Sequence, residues 1–572
     1  MDRRAFMKGV AAGAAMGLAA MARAAEEPSM RHSRSLLASR NQNRSDVIAM
    51  KGMACTAHPM ATAAAIDVLK AGGNAIDAAV CANVVLSLVE PMMCGPGGDL
   101  FAILWSAREQ RLFGLNASGR APLAWTLEEA SRRGMKSIPG NTPFAWNVPG
   151  CVSGWESLLA RFGSLPFPQL AAPAIALARE GFPVSPVVAR DWSMLPAASP
   201  SLRDTFYPEG KAPAPGEIFR NTRFADFLDG LSRDGLRAFY EGDPAARIAA
   251  HAQAEGALLN TADFAAHKAD WVDPVSASYR GYDVWELPPN GQGVAALQML
   301  NLFEHFEIAS MKPNSAEHLH LLIEAKRLAY EDRATYYADP AFAEVPLEQL
   351  ISKAYAAERL KRIDPSRAAP EVKPGALDGS QDTTYLTVAD DEGNMISLIQ
   401  SIYSAWGSKI APGDLGFCIQ NRGESFALDP THRNRLEPGK RPFHTIIPGF
   451  VTRDGAPWFS FGVMGGAFQP QGHVQVLVNL IDFGMSPQQA GEQPRVEHSG
   501  SSEPTGETGD GLGTVRCERG IDDTARAGLE SMGHDVKQGG AFGGYQGILR
   551  LEEPRRYVGG SDPRKDGCAL GL

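Results

Sequence analysis

The chain has 572 residues, 44% of them hydrophobic and 21% charged, an ordinary balance for a soluble globular protein. That length allows roughly three or four domain-sized units, or one large layered body. A net charge of −10, with no basic run after the first residues, excludes the basic face that a nucleic-acid partner requires.

The chain opens on Asp2-Arg3-Arg4-Ala5-Phe6-Met7-Lys8, a twin-arginine pattern, followed by an apolar stretch over residues 9–22 and then Ala22-Arg23-Ala24. The apolar run is shorter than the about 20 residues that span a bilayer. Residues 1–24 therefore read as a removable Tat-type signal, leaving a periplasmic protein with no membrane anchor after signal removal. A helix is expected over residues 60–71, stopped by Gly72-Gly73. Asn74 is placed to cap a second helix over 75–90, apolar on nearly all sides and hence buried. Gly95-Pro96-Gly97-Gly98-Asp99 then leads into a strand over 100–104. The loop follows a helix and carries no Gly-Lys-Ser/Thr, so it reads as close backbone packing, not a phosphate cradle.

A strand over 111–116 runs into Ser118-Gly119-Arg120-Ala121-Pro122, and helices are expected over 153–161, 168–180 and 222–231. A strand over 281–287 precedes a helix over 294–306, and the longest helix covers 315–337, with apolar residues near 3–4 spacing. Prolines 365, 370 and 374 make the next segment poor in regular structure. Strands over 385–388 and 395–399 flank Asp391-Glu392-Gly393-Asn394, which carries turn chemistry, so a hairpin is expected. Two threonines open that hairpin. If the Asp382–Thr383 bond were cut, Thr383 would own a hydroxyl nucleophile and an α-amine of pKa about 8 able to act as its base. An ordinary hairpin accounts for the same residues when they are taken alone.

Farther on, strand-like residues 458–461 lead through Gly465-Gly466 to a helix over 473–483. Two glycines at such a turn can aim N–H groups at an oxyanion, although tight packing also accounts for them. The seven cysteines show no C-x-x-C spacing and read mostly as buried free thiols, with one disulfide left open. His318 and His320 face different sides of their helix, and His432 and His444 lack partners at ligand spacing, so neither metal nor cofactor is expected.

Several stretches together resemble the gamma-glutamyltransferase family of N-terminal-nucleophile hydrolases. They are residues 69–79, Val148-Pro149-Gly150, Tyr279-Arg280-Gly281-Tyr282 with Pro288-Pro289, Asp382-Thr383-Thr384-Tyr385, Gly465-Gly466 and Ser561-Asp562-Pro563-Arg564, in family order. The resemblance implies an α+β fold, a four-layer αββα sandwich, made as a precursor that cuts itself between Asp382 and Thr383. The large chain, residues 25–382, would then pair with the small chain, 383–572. It also implies that Thr383 is nucleophile and base, that Ser401 hydrogen-bonds it, that Gly465 and Gly466 hold the oxyanion, and that Thr384 and Thr387 support the site.

Departures from the family pattern fall at the substrate end. Arg120 follows Ser118-Gly119 where the family has Arg-Glu, His444-Thr445 stand for its serine pair, and Tyr403 and Ser425 stand where it binds an α-amino group. By resemblance, Arg120 would grip an anion by a bidentate contact. The glycine motifs are similar to a divergent branch that includes oxamate amidohydrolase and glutaryl-cephalosporin acylase relatives. The expected activity is hydrolysis or transfer of a small-molecule amide with a γ-glutamyl, glutaryl or similar anionic acyl group. The alternative is a catalytically degenerate member that serves as a periplasmic binding or structural protein.

Overall fold

The computed structural model describes residues 43–195, 198–370, 383–509 and 511–572. The expected signal over residues 1–24 and Asp382 of the expected cleavage site lie outside the described residues. Strands β1 (Val47–Ala49) and β2 (Met53–Thr56) precede helices α1 (Pro59–Lys70) and α2 (Ala75–Val89). Next come β3 (Asp99–Ser106), β4 (Arg111–Ala117), α3 (Cys151–Phe162) and α4 (Phe167–Glu180). After a run of short helices, β5 (Asp270–Val272), β6 (Val275–Tyr279) and β7 (Tyr282–Glu286) lead to α5 (Gly293–Phe303) and α6 (Ala316–Tyr336).

The second part holds β8 (Thr384–Ala389), β9 (Met395–Ser401), β10 (Gly449–Arg453) and β11 (Ala456–Val463), then α7 (Gln469–Ile481) and α8 (Pro487–Glu492). The chain closes on β12 (Tyr545–Leu551), β13 (Arg556–Ser561) and β14 (Cys568–Gly571).

Two seven-stranded sheets result, in the orders β1-β13-β12-β11-β10-β7-β6 and β14-β2-β8-β9-β3-β4-β5. They pack face to face through β8 and β9 against β11 and β12. Helices α1 to α4 cover the outer face of the second sheet, and α5 to α8 that of the first. This is the αββα sandwich expected from the sequence. Strands β8 and β9 lie in the middle of it, so both are buried on both faces and show no polar alternation. Across the sheets, the Thr387 and Ser460 hydroxyls meet at 2.5 Å, and Ser397 Oγ donates to the Phe461 carbonyl at 3.2 Å.

The hairpin turn is tied to the helix layer by Asp390. Its Oδ1 accepts the N–H groups of Gly393 (3.0 Å) and Asn394 (2.9 Å), closing the turn. Its Oδ2 accepts the N–H of Ala75, the first residue of α2, at 2.9 Å. As expected, Asn74 caps that helix: its side chain accepts from Ile76 and Asp77, while Asp77 accepts from Asn74 N–H at 3.0 Å.

Some boundaries differ from the sequence reading. Helix α7 starts at Gln469 and not at 473, because Pro470 sits in its first turn, where no N–H is missed. Strands β1, β2 and β12 to β14 carry no clear apolar alternation and were not expected. Glycines 547, 559 and 560 dilute the pattern in β12 and β13. All seven cysteines are free, and only Cys568 is more than marginally exposed. No helix among the described residues is long and apolar enough to cross a membrane.

Asp390→Ala strips three buried N–H groups of their acceptor. We expect a loss of about 3 kcal/mol or more in unfolding free energy. A urea titration that finds less than about 1 kcal/mol would show that the turn and α2 do not depend on this carboxylate.

Candidate active site

Thr383 immediately precedes β8 and is only 2% exposed. Thr384 pairs with Gln400 across the hairpin, so the next position brings Thr383 alongside Ser401, the last residue of β9. Ser401 in turn pairs with Asp99, the first residue of β3. The register therefore lines up Thr383, Ser401 and Asp99 across three strands. Ser401 Oγ accepts the N–H of Tyr403 at 2.8 Å, and Gln469 Nε2 lies 3.4 Å from Thr383 Oγ. A Cβ on Gly97 would sit 2.1 Å from the Cys418 carbonyl and one on Gly98 2.3 Å from the Ser401 carbonyl, which explains these two glycines as close packing.

Thr383 opens on a cavity of about 510 Å³ that Gly465, Met464, Gln471 and Lys326 also line. Strand β11 ends at Val463, and Gly465 takes φ +113°, a left-handed conformation that a side chain disfavours. Gly466 opens the 3-10 turn Gly466–Phe468 that feeds α7. The Gly466 carbonyl accepts from Gln292 Nε2 at 2.7 Å, and Gln292 Oε1 accepts from the buried Arg333 at 2.7 Å. A glycine turn between a strand and a helix can aim backbone N–H groups at an oxyanion.

The residues expected at the substrate end divide into two groups. Tyr403, Ser425, His444 and Thr445 are all buried. Tyr403, with φ +78°, lies under the Arg422 guanidinium at 3.9 Å. The same guanidinium donates from Nη1 to Thr445 Oγ at 2.9 Å. Thr445 and Gly466 also share one donor, because Gln292 Nε2 bonds both carbonyls at 2.7 Å. Ser425 carries the carbonyl that accepts from Asn434 Nδ2 at 2.7 Å. Arg120 is held apart from this group. It donates to Asp270 at 2.8 Å and is partly exposed, whereas Tyr403 and Thr445 meet at Arg422; neither Arg120 nor these buried residues line the Thr383 cavity.

His444 is neutral by geometry. Its Nδ1 accepts the N–H of Ile446 at 3.3 Å, which leaves the proton on Nε2 to donate to Asp99 Oδ2 at 3.0 Å. Burial, followed by the Arg422 charge, pushes its pKa down to about 4 against the pull of Asp99. Asp99 Oδ1 accepts from Gly119 N–H (2.7 Å) and Gln420 Nε2 (3.1 Å), so this carboxylate is fully engaged.

Sequence reasoning missed four residues. Asp99 was seen only as the end of a glycine loop, and Gln469 only as part of a glycine-flanked stretch. Arg422 and Lys326 gave no local signal, since each stands alone among ordinary neighbours. Lys326 is buried in α6, bonds His498 Nδ1 (3.1 Å) and Ser501 Oγ (2.7 Å), and is pushed down to about 7 by burial and then by Arg333. Thr384 Oγ donates to Glu90 at 2.6 Å, a carboxyl that burial raises above its usual range. His320, Glu324 and His534 form the one cluster at metal-ligand spacing among the described residues. There, His320 Nδ1 and His534 Nε2 hydrogen-bond each other at 2.8 Å and Glu324 pairs with Arg327 at 2.7 Å, so the donors are already used.

Comparison with known proteins places this geometry in context. The family model described as Gamma-glutamyltranspeptidase matches residues 61–572. The chain is 38% identical to the Glutathione hydrolase-like YwrD proenzyme of Bacillus subtilis, over 92% of this chain and 99% of that protein. It is 32% identical to the Oxamate amidohydrolase proenzyme of Klebsiella pneumoniae, over 92% of this chain and 99% of that one. The crystal structure of cephalosporin acylase from Bacillus halodurans superposes with a TM-score of 0.85 at 38% identity, covering 93% of this chain and 97% of that chain.

The His444 shift sets a sign for stability. Its folded pKa of about 4 lies below the ordinary 6.5, so the unfolded chain binds more protons between these values. The contribution is fully present above pH 6.5 and is lost as pH falls towards 4. Between pH 7.5 and 5, the wild type should lose about 2 kcal/mol more than His444→Gln. Parallel losses in urea titrations would refute a neutral, buried His444.

Proposed function

The chain belongs to the gamma-glutamyltranspeptidase family, and from this premise we propose that it is a self-processing amide hydrolase whose nucleophile is Thr383. An amide hydrolase or transferase role follows from the family itself; the nucleophile, the cut and the acyl group are the proposal. The observation that carries it is the placement of Thr383 at the head of β8, beside Ser401 and on the same cavity as Gly465.

The chemistry begins with hydrolysis of the Asp382–Thr383 peptide bond: one water is consumed, its oxygen going to the new Asp382 carboxyl and a proton to the freed α-amine of Thr383. Its Oγ attacks the amide carbonyl carbon of a substrate while the amine takes the hydroxyl proton. The carbonyl oxygen becomes an oxyanion held by the N–H groups of Gly465 and Gly466, each such donor typically worth about 3–4 kcal/mol. The C–N bond then breaks, the leaving amine takes the proton from the α-ammonium, and an acyl ester remains on Thr383. Water attacks this ester with the amine again as base, releasing a carboxylic acid. An amine in place of water would give transfer.

The acyl group is read as one with an anionic end, of the glutaryl or oxamate kind, and not γ-glutamyl. In support, Tyr403 and Ser425 put a ring and a neutral hydroxyl where an α-ammonium would need a carboxylate. Export through the twin-arginine route belongs to the same reading and rests on residues 2–24. The degenerate, non-catalytic alternative is disfavoured because the hydroxyl, its neighbour Ser401 and the glycine turn occur together.

On a denaturing gel the purified protein should run as two fragments, and Thr383→Ala as one, with kcat lowered at least about 1000-fold. Thr383→Ser should cut itself and keep measurable activity. An active wild type that stays intact would sink the mechanism. Anilides of γ-glutamyl, glutaryl and oxalyl acids, compared by kcat/KM, test the acyl group; a clear preference for γ-glutamyl would overturn that part.

A further inference from the structure

Among the described residues, four arginine side chains are fully buried: Arg327, Arg333, Arg422 and Arg495. Three of them have a carboxylate within ion-pair distance. Arg327 meets Glu324 at 2.7 Å, Arg333 meets Glu503 at 2.5 Å, and Arg495 meets Asp562 at 2.7 Å. Arg422 has no such partner among the described residues. Its Nη1 donates to Thr445, while Nε and Nη2 are buried with no hydrogen-bond partner. A guanidinium desolvated on one hydrogen bond and one aromatic face is an incomplete arrangement.

The carboxylates that Arg422 feels are already committed. Asp99 is held by His444, Gly119 and Gln420. Glu424, raised to about 7 by burial, is partly neutral near physiological pH. Arg422 itself is lowered only to about 10 and stays charged. Its surroundings link it to both halves of the candidate site. The Tyr403 ring beneath it belongs to the residue whose N–H bonds Ser401, beside Thr383. The Thr445 that it bonds shares Gln292 with Gly466.

We propose that Arg422 is the anion-binding residue of the acyl subsite, its free Nε and Nη2 edge taking the far carboxylate of the acyl group delivered to Thr383. The assignment rests on the hydrolase reading above and moves the anion contact from Arg120, whose charge is spent on Asp270, to Arg422. Nε and one Nη form the fork that matches two carboxylate oxygens, which a lysine cannot reproduce. The class of substrate is then an amide of a short dicarboxylic acid. The terminal carboxylate lies on the Arg422 edge and the amide carbonyl lies over Thr383.

The test uses the mature enzyme with glutaryl-p-nitroanilide and its neutral analogue butyryl-p-nitroanilide. Arg422→Met should lower the glutaryl-to-butyryl ratio of kcat/KM at least 100-fold, chiefly through the glutaryl KM. Arg422→Lys should restore part of that ratio. Complete self-cleavage on a gel establishes that each variant has folded, and if the Met variant stays uncut, the ratio is read from Arg422→Lys and Arg422→Gln. An unchanged ratio in every folded variant overturns the assignment.

Calorimetric titration with oxalate, succinate and glutarate separates this inference from the hydrolase reading. Binding of one of them by the wild type, weakened at least tenfold in the folded variants, upholds Arg422 even if no anilide is cleaved. Cleavage with no binding difference upholds the hydrolase and rejects Arg422. Failure of the wild type to bind any of the three also rejects it.

Discussion

Thr384 sits opposite Gln400, and Ser401 sits opposite Asp99, in the middle of the second sheet. A slip of one residue in either pairing would turn every side chain of β8 or β9 to the other face. Because both faces of these strands are buried, such a slip would place polar groups in the apolar layers. The alignment of Thr383 with Ser401 and Asp99 is thus enforced by packing over the whole length of the hairpin. Asp390 adds a second lock by bonding the turn to the start of α2.

Around this register the buried charges are arranged in a short chain of dependence. Asp99 collects donors from Gly119, Gln420 and His444, and so sets both the loop before Arg120 and the tautomer of His444. With His444 neutral and holding Asp99, Arg422 has no close counter-ion among the described residues. That state is unusual beside three other buried arginines with close carboxylates. Gln292 then couples this polar pocket to the glycine turn, since one amide nitrogen holds both Thr445 and Gly466. The proposed acyl pocket and the proposed oxyanion turn therefore share a single side chain.

The more local the physics, the more of it was legible in the chain. The hairpin, the Asn74 cap and the long α6 follow from turn chemistry, capping and periodicity over a few residues, and all three appear near their expected bounds. The closing strands β12 to β14 escaped because glycines and polar residues hide a pattern that only neighbouring strands make sense of. Arg120 looked suited to an anion by its place in a motif, yet Asp270, about 150 residues away in sequence, takes its charge. Arg422 looked ordinary and turned out to be deeply buried and under-satisfied. Its significance lies in having no carboxylate at ion-pair distance among the described residues, which cannot be seen along a sequence.

By itself, the sequence determined the layered fold, the hairpin that begins at Thr383, the glycine turn and the family to which the chain belongs. The hairpin and the glycine turn rest on propensity and turn chemistry, which act over short stretches of chain, while the layered fold and the family follow from resemblance. Tertiary structure alone decided which polar groups are satisfied: that Asp99 holds His444, that Asp270 occupies Arg120, and that Arg422 keeps an edge with no partner among the described residues. Ion pairing and desolvation depend on distance through space, and the partners come from strands and loops hundreds of residues apart.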